Sequence, residues 1–281
     1  MEPVEHYFLG LGLGGFHRLA YAAWGHDRSQ PPVLCVHGLT RNGRDFDALA
    51  ADLAWSGRAV ICPDVVGRGR SGWLANPALY GYPQYLADAA ALIARLDVPA
   101  VDWVGTSMGG LIGMMLAAQP NTPIRRLVLN DVGPFIPQAA LQRIGSYVGQ
   151  DPVFADIDGL EAYLRRVHAP FGPLTDAQWR HLATHSARRR NDGTLGLAYD
   201  PGIAAAFAGP IADVDLWMVW DQIRCPVLVV RGAESDLLTA ATAERMAARP
   251  DTVLITVAGC GHAPALMAPG QIAPIRDWLA G

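Results

Sequence analysis

Ser107 stands in Val104-Gly105-Thr106-Ser107-Met108-Gly109-Gly110, directly after the apolar run Val101–Val104 and at the start of a helical pattern. A serine on so tight a strand-to-helix turn is thrust above the edge of a sheet, and small residues at 105 and 109 let the chain bend that sharply. The following helix points its positive dipole end at the same spot, where a developing oxyanion is stabilised. Such a hydroxyl becomes a nucleophile when a base stands beside it. His262 is the candidate base. It lies in Gly259-Cys260-Gly261-His262-Ala263-Pro264, after the last apolar run, at the carboxyl end of a strand, where open α/β sheets place ligand sites.

A serine–acid–histidine order along the chain calls for a carboxylate between the two. Asp236, in Arg231-Gly232-Ala233-Glu234-Ser235-Asp236, follows the penultimate apolar run and is taken as the acid. Asp131, in Leu129-Asn130-Asp131-Val132-Gly133-Pro134, follows the run after the nucleophile and is its competitor; Glu234 trails both. His37-Gly38-Leu39 ends an earlier run. The backbone N–H groups of Leu39 and Met108 are the expected oxyanion hole, with His37 bracing its loop. The expected chemistry is two-step acyl transfer to water, with no metal and no organic cofactor.

The elements that must position these residues alternate. Apolar runs without polar alternation occur at Val33–Val36, Ala59–Cys62, Val101–Val104, Leu127–Leu129, Val227–Val230 and Val253–Val257, the pattern of strands buried on both faces. Weaker strand signals lie near Tyr7–Leu11 and Phe16–Trp24. Helical stretches fall between them, at Asp45–Trp55, Gln84–Leu96, Met108–Ala118 and Ala240–Ala248, with Gln271–Leu279 last. Strands alternating with helices imply right-handed βαβ units and a mostly parallel sheet, an α/β fold. From Pro134 to Trp220 the alternation stops, and helical patterns dominate at Gln138–Val148, Leu160–His168 and Asp176–Arg189. An insertion of that length is expected to be a small helical subdomain.

Composition narrows the classes. The chain has 281 residues, 51% apolar and 17% charged, with net charge −4, so no broad basic field exists for nucleic acid or an anionic membrane. All 22 basic residues are arginine, which excludes lysine Schiff-base and P-loop chemistry. Cys35, Cys62, Cys225 and Cys260 lie in or beside apolar runs and read as buried free thiols. The acidic Met1–His6 start does not resemble a signal peptide, and no run is long enough to span a bilayer, so a cytoplasmic monomer or homodimer acting on a small molecule is expected. Gly10-x-Gly12-x-x-Gly15 and Gly67-x-Gly69-x-x-Gly72 match the dinucleotide pattern but open no helix. His181 and His185 have helical i, i+4 spacing but no evident third ligand, and read as surface histidines; Arg188-Arg189-Arg190 reads as a solvated helix end, and Arg41 as a solvent-facing loop residue, with binding of a substrate carboxylate as its alternative.

Together with the turn Asp64-Val65-Val66-Gly67-Arg68-Gly69-Arg70-Ser71, these motifs resemble the α/β-hydrolase superfamily, in its cap-bearing esterase and lactonase-like branch, over nearly the whole chain. The resemblance implies an eight-stranded sheet with a helical cap after the sixth strand, that is, a core of residues 1–133 and 221–281 and a cap of residues 134–220. Serine at the nucleophile position disfavours the family's dehalogenase and epoxide hydrolase reactions. A carboxylesterase acting on small to medium uncharged esters is expected. An enol-lactonase, a C–C bond hydrolase with the same residues, and a catalytically silent binding protein on the same fold are the rivals.

Overall fold

A computed structural model describes residues 1–27 and 29–281. Eight strands make one sheet: β1 (Val4–Gly12), β2 (Gly15–Trp24), β3 (Val33–Val36), β4 (Val60–Asp64), β5 (Val101–Thr106), β6 (Ile124–Asn130), β7 (Val227–Gly232) and β8 (Thr252–Val257). Their spatial order is β1-β2-β4-β3-β5-β6-β7-β8, and only β2 runs against the others. The two weak strand signals are thus the hairpin at one edge, where β1 has exposed positions that blur its pattern.

The parallel strands are apolar throughout because both faces are covered. Leu34, Val36, Trp103, Leu127, Leu129 and Val229 face one side, against α2 (Tyr82–Leu96), α3 (Met108–Ala117) and α8 (Ala240–Ala247). Val33, Cys35, Cys62, Val104, Val128 and Leu228 face the other, against α1 (Asp47–Trp55) and α9 (Pro269–Ala280). All four cysteines are buried and free. Among the described residues no helix is long and apolar enough to cross a membrane.

The segment 134–220 leaves the sheet after β6 and returns before β7. Its two ends are zipped by a short antiparallel pair, Phe135–Ile136 with Val214–Asp215. It carries α4 (Gln138–Gly145), α5 (Ile157–Val167), α6 (Asp176–Ser186) and the short α7 (Trp217–Trp220). Local chemistry fixes two helix starts: the Asp156 carboxylate accepts from the Gly159 N–H, and Thr175 with Gln178 forms a capping box before α6. The expected helix over Asp176–Arg189 is corrected at its end. The chain turns extended at Ala187, and Ala187–Arg189 pairs antiparallel with Leu195–Leu197. The arginine run therefore closes no helix: Arg188 lies over the Trp73 ring and Arg190 pairs with Asp151.

The turn from β5 to α3 is the tightest junction in the sheet. A Cβ on Gly109 would lie 2.0 Å from the Val36 carbonyl oxygen, and one on Gly105 would lie 2.4 Å from the Gly109 backbone. These are contacts with backbone that cannot step aside, so α3 reaches the sheet only with glycine at both places. Gly109→Ala should lower stability by about 1–3 kcal/mol, the usual cost of overpacking. Calorimetry should find a Tm lowered by several degrees with the same secondary structure by circular dichroism; an unchanged Tm would show that the junction can spread.

Candidate active site

Ser107 sits between β5 and α3 with φ of 52° and ψ of −117°, a backbone conformation that serine rarely adopts. The strain is held by hydrogen bonds on both sides: the Ser107 N–H donates to the Asn130 carbonyl at 3.0 Å, and its own carbonyl accepts from Leu111 at 3.0 Å. His262, on the loop after β8, places Nε2 2.9 Å from Ser107 Oγ. Its Nδ1 lies 2.8 Å from Asp131 Oδ2. The carboxylate only accepts, so Nδ1 carries the proton and Nε2 is left to accept from the serine hydroxyl.

The acid expected from sequence is corrected here. Asp236 is not beside His262; it is exposed on the far side of its loop, forked by Arg143 of α4 at 2.5 and 2.8 Å. Partial burial pushes the Asp236 carboxyl up, but the Arg143 guanidinium outweighs it and holds the group below its ordinary value. Asp131 has the His262 position instead. It is wholly buried at the end of β6, with φ of 56°, and its N–H donates to Val230 at 2.7 Å. Its Oδ1 accepts from the Gly232 N–H at 2.8 Å and its Oδ2 from the Ser235 hydroxyl at 2.5 Å. The Gly232–Asp236 loop thus faces the site with a backbone N–H and a hydroxyl, and presents its carboxylate to Arg143. Ser235 is a site residue that sequence reasoning missed.

Arg68 is another. It is 0% exposed, and no carboxylate among the described residues pairs with it. Its guanidinium donates to the carbonyls of Leu39 at 2.8 Å and Val66 at 2.7 Å and to the Tyr85 hydroxyl at 3.0 Å, and it lies 3.7 Å from Met108 Sδ. It therefore braces both residues expected to form the oxyanion hole. A guanidinium between two glycines in a turn gives no sign in sequence that it points inward. His37 braces the same loop from below: Nδ1–H donates to the Gly38 carbonyl at 2.7 Å and Nε2 accepts from the Val65 N–H at 2.9 Å. Burial pushes its pKa down to about 4, so the ring stays neutral and keeps both bonds. Arg41, expected in solvent, is buried and forked to Asp45 at 2.7 Å on each side.

Ser107, Leu39 and Met108 open on a cavity of about 560 Å³. Its walls come from the core (Tyr82, Leu111, Met115) and from the insertion (Leu141, Ile144, Phe207), and no charged residue lines it. Away from this cavity the histidines of α6 are not the surface pair expected. His181 and His185 are partly buried against the start of α1, where Asp47 brings a carboxylate to them.

A hydroxyl, an imidazole and a buried carboxylate in one hydrogen-bonded chain, at a helix N-terminus, can activate an oxygen nucleophile and stabilise an oxyanion. The alpha/beta hydrolase family model matches residues 33–275. A 3-hydroxybutyrate-oligomer hydrolase from Cupriavidus necator is 47% identical over 96% of both chains. A 2-(acetamidomethylene)succinate hydrolase from Mesorhizobium japonicum is 31% identical, over 83% of this chain and 82% of that one. Among solved structures, an alpha/beta hydrolase from Novosphingobium aromaticivorans superposes with a TM-score of 0.90 at 39% identity, covering 99% of this chain and 98% of the other. A putative hydrolase from Rickettsia typhi gives 0.91 at 32% identity, covering 100% and 99%. The sheet order, the serine on its strand-to-helix turn and these likenesses agree: the chain belongs to the alpha/beta hydrolase family and is an ester hydrolase.

Proposed function

We propose that the protein hydrolyses flexible carboxylic esters through an acyl-enzyme on Ser107, with short oligoesters of a 3-hydroxy acid as its substrate class. The observation that carries this reading is the Ser107–His262–Asp131 chain opening on a large uncharged cavity. His262 Nε2 takes the Ser107 proton as Oγ adds to the ester carbonyl. The Leu39 and Met108 N–H groups receive the oxyanion, and Asp131 orients the imidazole and offsets its positive charge. Collapse expels the alcohol half with the proton from His262. A water deprotonated by His262 then cleaves the acyl-enzyme and restores the serine.

The insertion 134–220 is read as a cap, since it supplies Leu141, Ile144 and Phe207 to the cavity wall. An oligoester of four-carbon units is uncharged along its chain, with a single carboxylate at one end, and that uncharged length fits an apolar slot of this volume. A succinate derivative carries two carboxylates. The cavity offers them no cation, and Arg41 is already forked to Asp45. The relative acting on oligomers of 3-hydroxybutyrate is also the more similar of the two.

The test is a side-by-side panel of 3-hydroxybutyrate dimer and trimer, p-nitrophenyl esters of rising chain length, lactones and a C–C bond substrate. Oligomer and short ester cleavage is expected, with Ser107→Ala lower by at least about 10³ in turnover. Turnover of lactones or the C–C substrate alone would overturn the reading.

Two variant sets follow from the site. Asp131→Asn should cost up to about 10⁴ in kcat, the loss seen when an orienting aspartate is amidated in chymotrypsin-type enzymes, whereas Asp236→Asn should cost less than about tenfold. Esterase rates on folded variants decide it, and a dead Asp236→Asn beside an active Asp131→Asn would return the acid role to Asp236. Arg68→Met should lower kcat by about 10–100-fold, less than the loss of an oxyanion donor itself, with KM moved little. Rate and Tm measured together separate this from unfolding; a well-folded variant with full kcat would show that the Leu39 loop holds without the guanidinium.

A further inference from the structure

The insertion meets the core at a cluster that the proposed reaction does not use. Asp47, at the first turn of α1, and His181 and His185, one helical turn apart on α6, each present a ligand atom within 4.8 Å of the others. We propose that these three residues form a binding site for a divalent transition-metal ion such as Zn²⁺, and that the bound ion pins the inserted helix to the core.

The donor set is two imidazoles and one carboxylate, the set that suits zinc and its neighbours better than calcium or magnesium. The i, i+4 spacing puts both histidines on one face of α6, and their ring centroids are 4.6 Å apart. His181 Nε2 lies 3.5 Å from Asp47 Oδ2. That is close to the roughly 3.3–3.5 Å between two donors around a tetrahedral ion with bonds of about 2.0–2.1 Å. Among the described residues neither ring nitrogen of His185 has a hydrogen-bond partner.

The surroundings hold these donors in place. Arg44 forks onto Asp47 at 2.6–2.9 Å, the outer hydrogen bonding that orients ligating carboxylates. The same guanidinium repels a cation, so affinity should be moderate and the ion exchangeable. His181 Nε2 also lies 2.9 Å from the Arg44 carbonyl, a bond that the ion would replace. Asn42 Nδ2 donates to the His185 carbonyl at 3.0 Å and fixes the end of α6 against the same loop. Three protein ligands leave a fourth position for water.

The site joins the insertion to the core beside the hydrogen bonds of Asn42 and His181, so occupancy should stiffen this contact. The protein, purified free of metal, would be titrated with Zn²⁺ against a chromophoric chelator and melted with and without the ion; Co²⁺ would report geometry through its visible spectrum. One ion per chain is expected, with a Tm raised by about 3 °C or more at saturation and a tetrahedral cobalt spectrum. Both effects should vanish in His185→Ala and in His181→Gln, with circular dichroism and metal-free ester hydrolysis unchanged. The second variant keeps the test open if the first folds poorly. Absence of saturable binding, or binding that survives both substitutions, would overturn the proposal.

Discussion

The buried carboxylate of Asp131 is the interaction on which the rest of the site depends. A charge removed from water at this depth is tolerated only when hydrogen bonds replace its hydration. Here the replacements come from three separate places: the Gly232 N–H at the end of β7, the Ser235 hydroxyl just beyond it, and His262 after β8. Each of these partners is fixed in turn by the bond it makes. The Ser235 hydroxyl oxygen also accepts from the N–H groups of Leu237 and Leu238, so the loop is closed around the same centre. Removing the carboxylate would free all three elements at once, and leave polar groups facing one another across a dry gap.

A second layer keeps the loop after β3 equally still. His37 and Arg68 reach it from opposite sides, one a neutral ring and the other a permanent cation, and between them they bond backbone oxygens, an amide and the Tyr85 hydroxyl. Aromatic rings of Tyr80 and Tyr85 lie 5.7 and 5.1 Å from the Arg68 carbon, so the charge is met by π faces where a carboxylate would be usual. The result is a positive charge behind the Leu39 and Met108 amides that no carboxylate among the described residues pairs with.

The sheet was legible in sequence because its strands are buried on both faces, and runs such as Val33–Val36 have no other use. Ser107 and His262 stood out for a related reason: each lies on a turn of small residues just past such a run. The carboxylate that lies beside His262 was not legible. Asp131 and Asp236 both follow strands, and residue type does not say which way a side chain points. A left-handed backbone at Asp131 and a single-residue step from Ser235 to Asp236 set the two directions, and both arise only once β6 and β7 lie side by side. Arg41 and Arg68 misled or escaped for the same cause, since arginine in a glycine-rich turn looks solvent-facing until the burial is seen. His181 and His185 had no evident third donor in sequence because Asp47 stands at the start of α1, far upstream of them.

The bonds of the site span unusual stretches of chain: His262 to Ser107 across 155 residues, His262 to Asp131 across 131, Asp131 to Gly232 across 101. The whole insertion lies inside the last of these loops. None of the contacts can form until distant strands have paired, and the entropy of closing such loops must be met before the contacts return anything. The strained turn at Ser107 has local support only through its carbonyl, which accepts from Leu111, since its N–H is held by Asn130 on the neighbouring strand. Catalytic geometry is therefore among the last features to appear as this chain folds, and hydrolytic activity during refolding reports completion of the sheet, where helix content would report only its beginnings.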